Sequence, residues 1–343
     1  MNLETAYAEH LPDVLDRVLQ ISQEFFPGTA ARAKKALSLL LGNKLLPAAQ
    51  KDIWASSYLA KGAPVEFTFK TDQKGIQYTV DLRDPEMPPS ETLEAALARL
   101  SQLDSHPLPE EYLLFFEELQ NKGSLVYGCW VGGRHSAERD EYKLYVEVPE
   151  NRADMAVGWL ARNTGADFRS LPLGKNQTIK PEIIGYSLGR GAIECYFSIF
   201  GLAPWELDSI LKPVAMEGSR EILLDLLQAV SCRAVYREFP TKEMGCSYAF
   251  LPGENHSVFS LYTFASAVLG DDKHARETLL SLARQKGWNM EYYGEFTRPF
   301  VQYYNPTYTH GLVGFSIDRG GRTAVYTGLS PEFFRHNPDG CND

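Results

Sequence analysis

Residues 141–149 read EYKLYVEVP. Leu144, Val146 and Val148 alternate with Lys143, Tyr145 and Glu147, the period of two that marks a strand with one apolar face. Four more stretches share this form, a β-like run with tyrosine at its centre. They are GIQYTVDL (75–82), IECYFSIF (193–200), FSLYTFAS (259–266) and TAVYTGLS (323–330). The spacings from Tyr78 through Tyr145, Tyr196 and Tyr262 to Tyr326 are 67, 51, 66 and 64 residues. A unit that recurs at a roughly fixed period dictates the architecture of the whole chain.

Working outward, each tyrosine strand follows another strand. VEFTFK (65–70) precedes the first across the turn TDQKG, and SLVYGCWVG (124–132) precedes the second across the polar loop GRHSAERD. EIIGYSL (182–188), CSYAFLP (246–252) and GLVGFSI (311–317) precede the other three, the fourth hairpin turning at GENH and the fifth at DRGG. Between the hairpins the apolar period lengthens to that of a helix, as in ETLEAALARLSQL (91–103), ADMAVGWLARNTG (153–165) and ARETLLSLARQKG (275–287). The N-terminal runs 11–26 and 30–46 are also helical, with Pro27-Gly28 as the breaker. The predicted order is ααββ, five times over, within one α+β domain. Repeats fall at about 1–84, 85–149, 150–201, 202–265 and 266–330, with a tail over 331–343. Hairpins separated by helices exclude a doubly wound parallel sheet. Ten antiparallel strands can close into a β-barrel, which removes exposed edges, with the helices outside and room for a ligand within.

Composition narrows the function. The chain has 343 residues, a formal net charge of −10 and 44% hydrophobic residues. That charge disfavours a nucleic-acid surface. No window approaches 20 consecutive apolar residues, and the N-terminus does not read as a secretory signal. Five scattered cysteines without a CxxC pair fit neither a zinc site nor a disulfide framework, so the expected setting is the cytoplasm. A monomer or a homodimer fits equally.

Strand parity tests the barrel. Ile193, Cys195, Phe197 and Ile199 share one face, while Glu194, Tyr196 and Ser198 share the other. Val65, Phe67 and Phe69 likewise oppose Glu66, Thr68 and Lys70. A solvated sheet surface would give the same alternation, but the aromatic and charged mixture repeating across hairpins favours a lined lumen. Tyr78 fits this ring less well than the other four, because Gln77 and Thr79 would then face the helices.

Taken together, these features resemble the ABBA prenyltransferases, or PT-barrel enzymes, among them the indole and tryptophan prenyltransferases. The resemblance spans nearly the whole chain but rests on repeat order and two short motifs. APVEFTF (63–69) is similar to the family's first strand, and Lys143-Leu144-Tyr145 to its Lys-x-Tyr strand. It implies Glu66 as the base that meets the acceptor's N–H. It also implies Lys143 on the prenyl diphosphate, and Tyr145, Tyr196, Tyr262 and Tyr326 as a shield around the allylic cation. Trp130 and Glu194 would line the acceptor pocket. The chemistry suits these types, since cations stabilise the leaving pyrophosphate, aromatic faces protect a carbocation and a carboxylate takes the proton.

The chain departs from the family two positions before the tyrosines. Indole-prenylating relatives place several Arg and Lys residues there, whereas this chain has Ile76, Lys143, Glu194, Ser260 and Ala324. Arg190, Lys70, Arg134 or Arg322 are the candidates to compensate, or Glu194 could hold Mg²⁺ against the diphosphate. No other cofactor is implied. The expected activity is transfer of a dimethylallyl or longer prenyl group to an indole or other aromatic or nitrogen acceptor, a peptide side chain included.

Two other readings stand beside it. Gly185-Tyr186-Ser187-Leu188-Gly189 fits the GxSxG elbow of a serine hydrolase, which requires a helix directly after Ser187. A barrel that binds a small molecule without catalysis is the other. Asp271-Asp272 reads as acids at a helix start. His135, with Glu138 and Asp140, reads as a solvated turn.

Overall fold

The computed structural model describes residues 13–42, 57, 59, 62–84, 86–103, 105–168, 178–231, 233–252, 257–302 and 306–331. The GENH turn, His256 and most of the 331–343 tail lie outside them.

Ten strands form the closed barrel. They are β1 (Val65–Lys70), β2 (Gly75–Asp81), β3 (Cys129–Ser136), β4 (Asp140–Glu147), β5 (Thr178–Ser187), β6 (Ile193–Phe200), β7 (Glu243–Phe250), β8 (Ser257–Phe264), β9 (His310–Asp318) and β10 (Thr323–Leu329). Each pairs antiparallel with its neighbours in sequence, and β1 pairs with β10 to close the ring. The closing register sets Phe67 opposite Leu329 and Lys70 opposite Tyr326. A further bond from the Thr71 amide to the Val325 carbonyl (3.0 Å) extends the seam.

The helices form the outer layer. They are α1 (Asp13–Phe25), α2 (Ala30–Leu41), α3 (Thr92–Ser101), α4 (Glu110–Gln120), α5 (Ala153–Thr164), α6 (Leu207–Leu211), α7 (Arg220–Val230), α8 (Ala265–Val268), α9 (Asp272–Lys286) and α10 (Glu291–Phe296). The apolar core is the annulus between helices and strands. Phe69 packs on Tyr292 and Phe296 of α10, with ring centroids at 5.0 and 4.6 Å. Phe115 of α4 stacks on Trp159 of α5 at 4.4 Å. The alternation read from the sequence follows, because only one face of each strand meets this layer.

Three features depart from the sequence reading. Strand β3 starts at Cys129 and runs on through Gly132-Gly133 to Ser136, so the expected loop over 133–140 shrinks to three residues. Residues 126–128 before it are not extended, because the Glu147 carboxylate accepts from the amides of Val126, Tyr127 and Gly128. Tyr78, which fits the ring less well by the parity of Gln77 and Thr79, points outward on the same face as the buried Ile76 and Val80 and leaves those two to the lumen. His135 is not a solvated turn residue. It is fully buried outside the barrel, its Nε2 2.8 Å from the Tyr78 hydroxyl and its Nδ1 2.9 Å from Asp140. Arg32 of α2 binds the same Asp140 at 2.9 Å, so this cluster ties the N-terminal helices to the wall.

Burial lowers the His135 pKa, and the neighbouring Asp140 only partly offsets it. The unfolded chain therefore binds a proton that the folded chain resists, and stability falls as pH drops below the unfolded value of about 6.5. Thermal unfolding of the wild type and His135→Gln between pH 5 and 8 should show a steeper acid-side loss in the wild type. Parallel curves would refute this.

Candidate active site in the barrel lumen

The lumen is lined by the polar and aromatic members of each strand. Tyr145, Tyr196, Tyr262 and Tyr326 all project into it, where Tyr145 and Tyr196 lie 5.8 Å apart and Tyr196 and Tyr262 6.5 Å apart. The Lys143 ammonium sits between them, 4.8 Å from the Tyr145 ring and 5.2 Å from the Tyr196 ring. A cation already occupies the concave aromatic wall, and the attraction is electrostatic. Burial holds the Tyr196 and Tyr326 phenols neutral, raising both pKa values, and the nearby Glu194 adds to the effect.

Glycines seat these rings. A Cβ placed on Gly245 would overlap the Tyr262 ring from the adjacent strand, and one on Gly314 would overlap Tyr326. Gly132 would meet Tyr145 Cε2 at 2.8 Å. Gly185 lies against Lys143 and Tyr196, and Gly328 against the Glu66 carboxylate. The barrel wall is thus thinned to bare backbone beneath these lumen side chains, and each side chain covers its gap.

Glu194 is bound to Lys143. The lysine Nζ donates to Glu194 and to the Tyr196 hydroxyl (2.9 Å), and the Ser247 hydroxyl donates to the other Glu194 oxygen at 2.6 Å. Burial by itself would lower the Lys143 pKa and raise that of Glu194. Their mutual charge and hydrogen bonds outweigh it, so Lys143 is raised and Glu194 lowered. Both are ionised across at least the span of their ordinary values, about 4.3 to 10.4. The pair's contribution to stability disappears as pH falls through the lowered Glu194 value or rises through the raised Lys143 value.

The remaining candidates are spread along the lumen. Glu66 faces inward from the strand–helix end of β1. Trp130 pairs across from Tyr145 and stacks on Tyr127 at 4.1 Å, its indole N–H buried without a hydrogen bond among the described residues. Lys70 stands at the hairpin end with no ion pair among the described residues. Its side chain is exposed to solvent there. Arg190 is not in the tyrosine ring. It lies on the β5–β6 turn, bound to Glu141, which also takes Arg139 (2.8 Å) and Arg134 (3.6 Å). Among the described residues no group of three or more His, Cys, Asp and Glu could hold a metal. Ser187 is followed by a turn and then β6, so GYSLG is not a nucleophile elbow.

This geometry defines the PT-barrel fold, ten antiparallel strands around a polar lumen with helices outside. The chain matches 6-dimethylallyltryptophan synthase from Micromonospora olivasterospora, a structure in complex with DMASPP and Trp. The identity is 17%, 95% of this chain and 97% of that one are covered, and the TM-score is 0.72. It matches 5-dimethylallyltryptophan synthase from Streptomyces coelicolor at 16% identity, covering 97% and 98%, with a TM-score of 0.71. The prenyltransferase PriB, in ternary complex with L-tryptophan and dimethylallyl thiolodiphosphate, matches at 15% identity over 97% of each chain, with a TM-score of 0.72. No family model and no curated protein sequence matches the chain.

The seats are testable. Gly314→Ala should destabilise the protein by about 1–3 kcal/mol through overpacking against Tyr326. Urea unfolding measures this, and Gly218→Ala, at a helical site with nothing within 4 Å of the added Cβ, serves as the control. Equal stability of the two variants would count against the seat.

Proposed function

We propose that this barrel is an aromatic prenyltransferase, moving a dimethylallyl or longer prenyl group from its diphosphate to an indole or related aromatic or nitrogen acceptor. The observation that carries the reading is the Lys143 ammonium held against the Tyr145 and Tyr196 rings in a lumen that Tyr262 and Tyr326 also line. Three of the structures sharing the fold are prenyltransferases or dimethylallyltryptophan synthases by name, and two of these hold tryptophan with a donor analogue. A tryptophan-like ring, free or borne on a peptide, is the acceptor class this favours.

The roles follow from position. The C–O bond of the allyl diphosphate breaks, and pyrophosphate leaves with the electron pair toward Lys143, with Lys70 and Arg190 on the hairpin side. The allylic cation is held among the tyrosine faces, which stabilise charge without offering a nucleophile of ordinary basicity. The acceptor ring, stacked near Trp130, forms the new C–C or C–N bond, and Glu66 takes the proton that is lost. Glu194 keeps Lys143 charged and aimed. The buried free thiols Cys129, Cys195 and Cys246 support a reducing, cytoplasmic setting.

One observation favours a second reading. Glu194 neutralises the one lysine within the ring, which suits a barrel that binds an aromatic ligand without ionising a diphosphate.

Incubation with dimethylallyl diphosphate and a panel of indoles, with and without Mg²⁺, should release pyrophosphate and give an alkylated product. Glu66→Gln should lower that rate by about 10²-fold or more with the fold unchanged. Full activity in the variant would remove Glu66 as base. Tight indole binding without pyrophosphate release would favour the binding barrel.

A further inference from the structure

The lumen opens at the end where strands give way to helices, in a cleft of about 570 Å³ between β5, β6, β7, β8 and β9. Phe200, Phe264, Leu312 and Tyr262 supply its apolar wall. Phe200 and Phe264 end the inward-facing rows of β6 and β8 and are 46% and 49% exposed. Two such rings at one opening form an apolar surface with no cover among the described residues.

Acids outnumber bases in the lining around them. Glu243 pairs across from Phe200 and has no ion pair among the described residues. Glu182 also lines the cleft and accepts the Ser198 hydroxyl at 2.6 Å. The one ammonium in the lining, Lys180, is already held by Glu150 at 2.6 Å. The mouth is therefore aromatic and anionic. The opposite, hairpin end carries Lys70, Arg134, Arg190 and Arg322 beside Asp72, Glu138 and Asp140, with Arg134 and Arg190 paired to Glu141 and Arg322 to Asp318.

We infer that the strand–helix mouth is the acceptor's entrance and outer subsite, and that it selects an aromatic acceptor carrying a protonated amine. This rests on the aromatic-transfer reading above and names its acceptor class. A ring entering past Phe200 and Phe264 exchanges water for aromatic faces. An ammonium on that ring gains both from those faces and from Glu182 and Glu243. A diphosphate meets repulsion here, which leaves the donor to the hairpin end, where Lys70 has no ion pair among the described residues.

Three probes isolate the charge, namely tryptamine (cationic), 3-methylindole (neutral) and indole-3-acetate (anionic). Their affinities are measured calorimetrically at low salt without any donor. Tryptamine should bind about tenfold tighter than 3-methylindole, from two partly exposed carboxylates, and indole-3-acetate weakest. Raising the salt should shrink the spread, since these charges are open to solvent. The double variant Glu182→Gln/Glu243→Gln should bring tryptamine and 3-methylindole together, and Glu243→Lys should favour indole-3-acetate. Equal affinities in the wild type, a preference for the anion, or no binding of any probe would overturn the inference. Charge preference without prenyl transfer would refute only the reaction. Prenyl transfer without charge preference would refute only the subsite.

Discussion

The architecture depends on one seam. Strands β1 and β10, separated by most of the chain, meet in a register that sets Thr68 against Gly328 and Lys70 against Tyr326. Without that pairing both would be open edges, with unpaired backbone groups on each side. Closure also brings Glu66, from the first repeat, onto a wall built largely by the last. Because hairpin neighbours are local in sequence and the seam is not, the entropic cost of ordering the barrel is concentrated there.

Closure also divides polarity in an unusual way for a protein of this size. The hydrophobic core is a sleeve, and the molecular axis is polar. Charged groups placed on that axis are solvated through a narrow, protein-walled space, so their pKa values respond to burial and to neighbours several ångströms away. Lys143 and Glu194 show the balanced outcome, each keeping the other ionised.

Much of this was legible from residue order. Period-two runs located all five hairpins, and parity separated sleeve from lumen for β1, β4 and β6, because an apolar outer layer imposes strict alternation. The errors arose where partners come from another strand. Gly133 read as the start of a loop, since the ring that packs against it, Tyr78, is remote in sequence. Tyr78 shares its motif with four lumen tyrosines but sits in the opposite phase, fixed by its pairing with Phe67 and Gly133. His135 looked like part of a polar turn, and only the fold supplies Tyr78 to receive it. Asp272 gave a correct helix-start signal, yet its bonds to Thr309 and His310 were invisible. The Lys143–Glu194 contact is likewise a product of strand register and has no sequence signature.

The glycine seats bear on how such a lumen can change shape. Each is a unit of two residues on different strands, one giving up volume that the other occupies. Gly245 and Tyr262, or Gly314 and Tyr326, are therefore coupled positions, and neither can be exchanged freely while the other stays. A larger residue at the glycine calls for a smaller ring opposite, which moves the cavity sideways without enlarging it. New cavity outlines are reached through paired replacements, and single substitutions at the tyrosines explore only half of the available space.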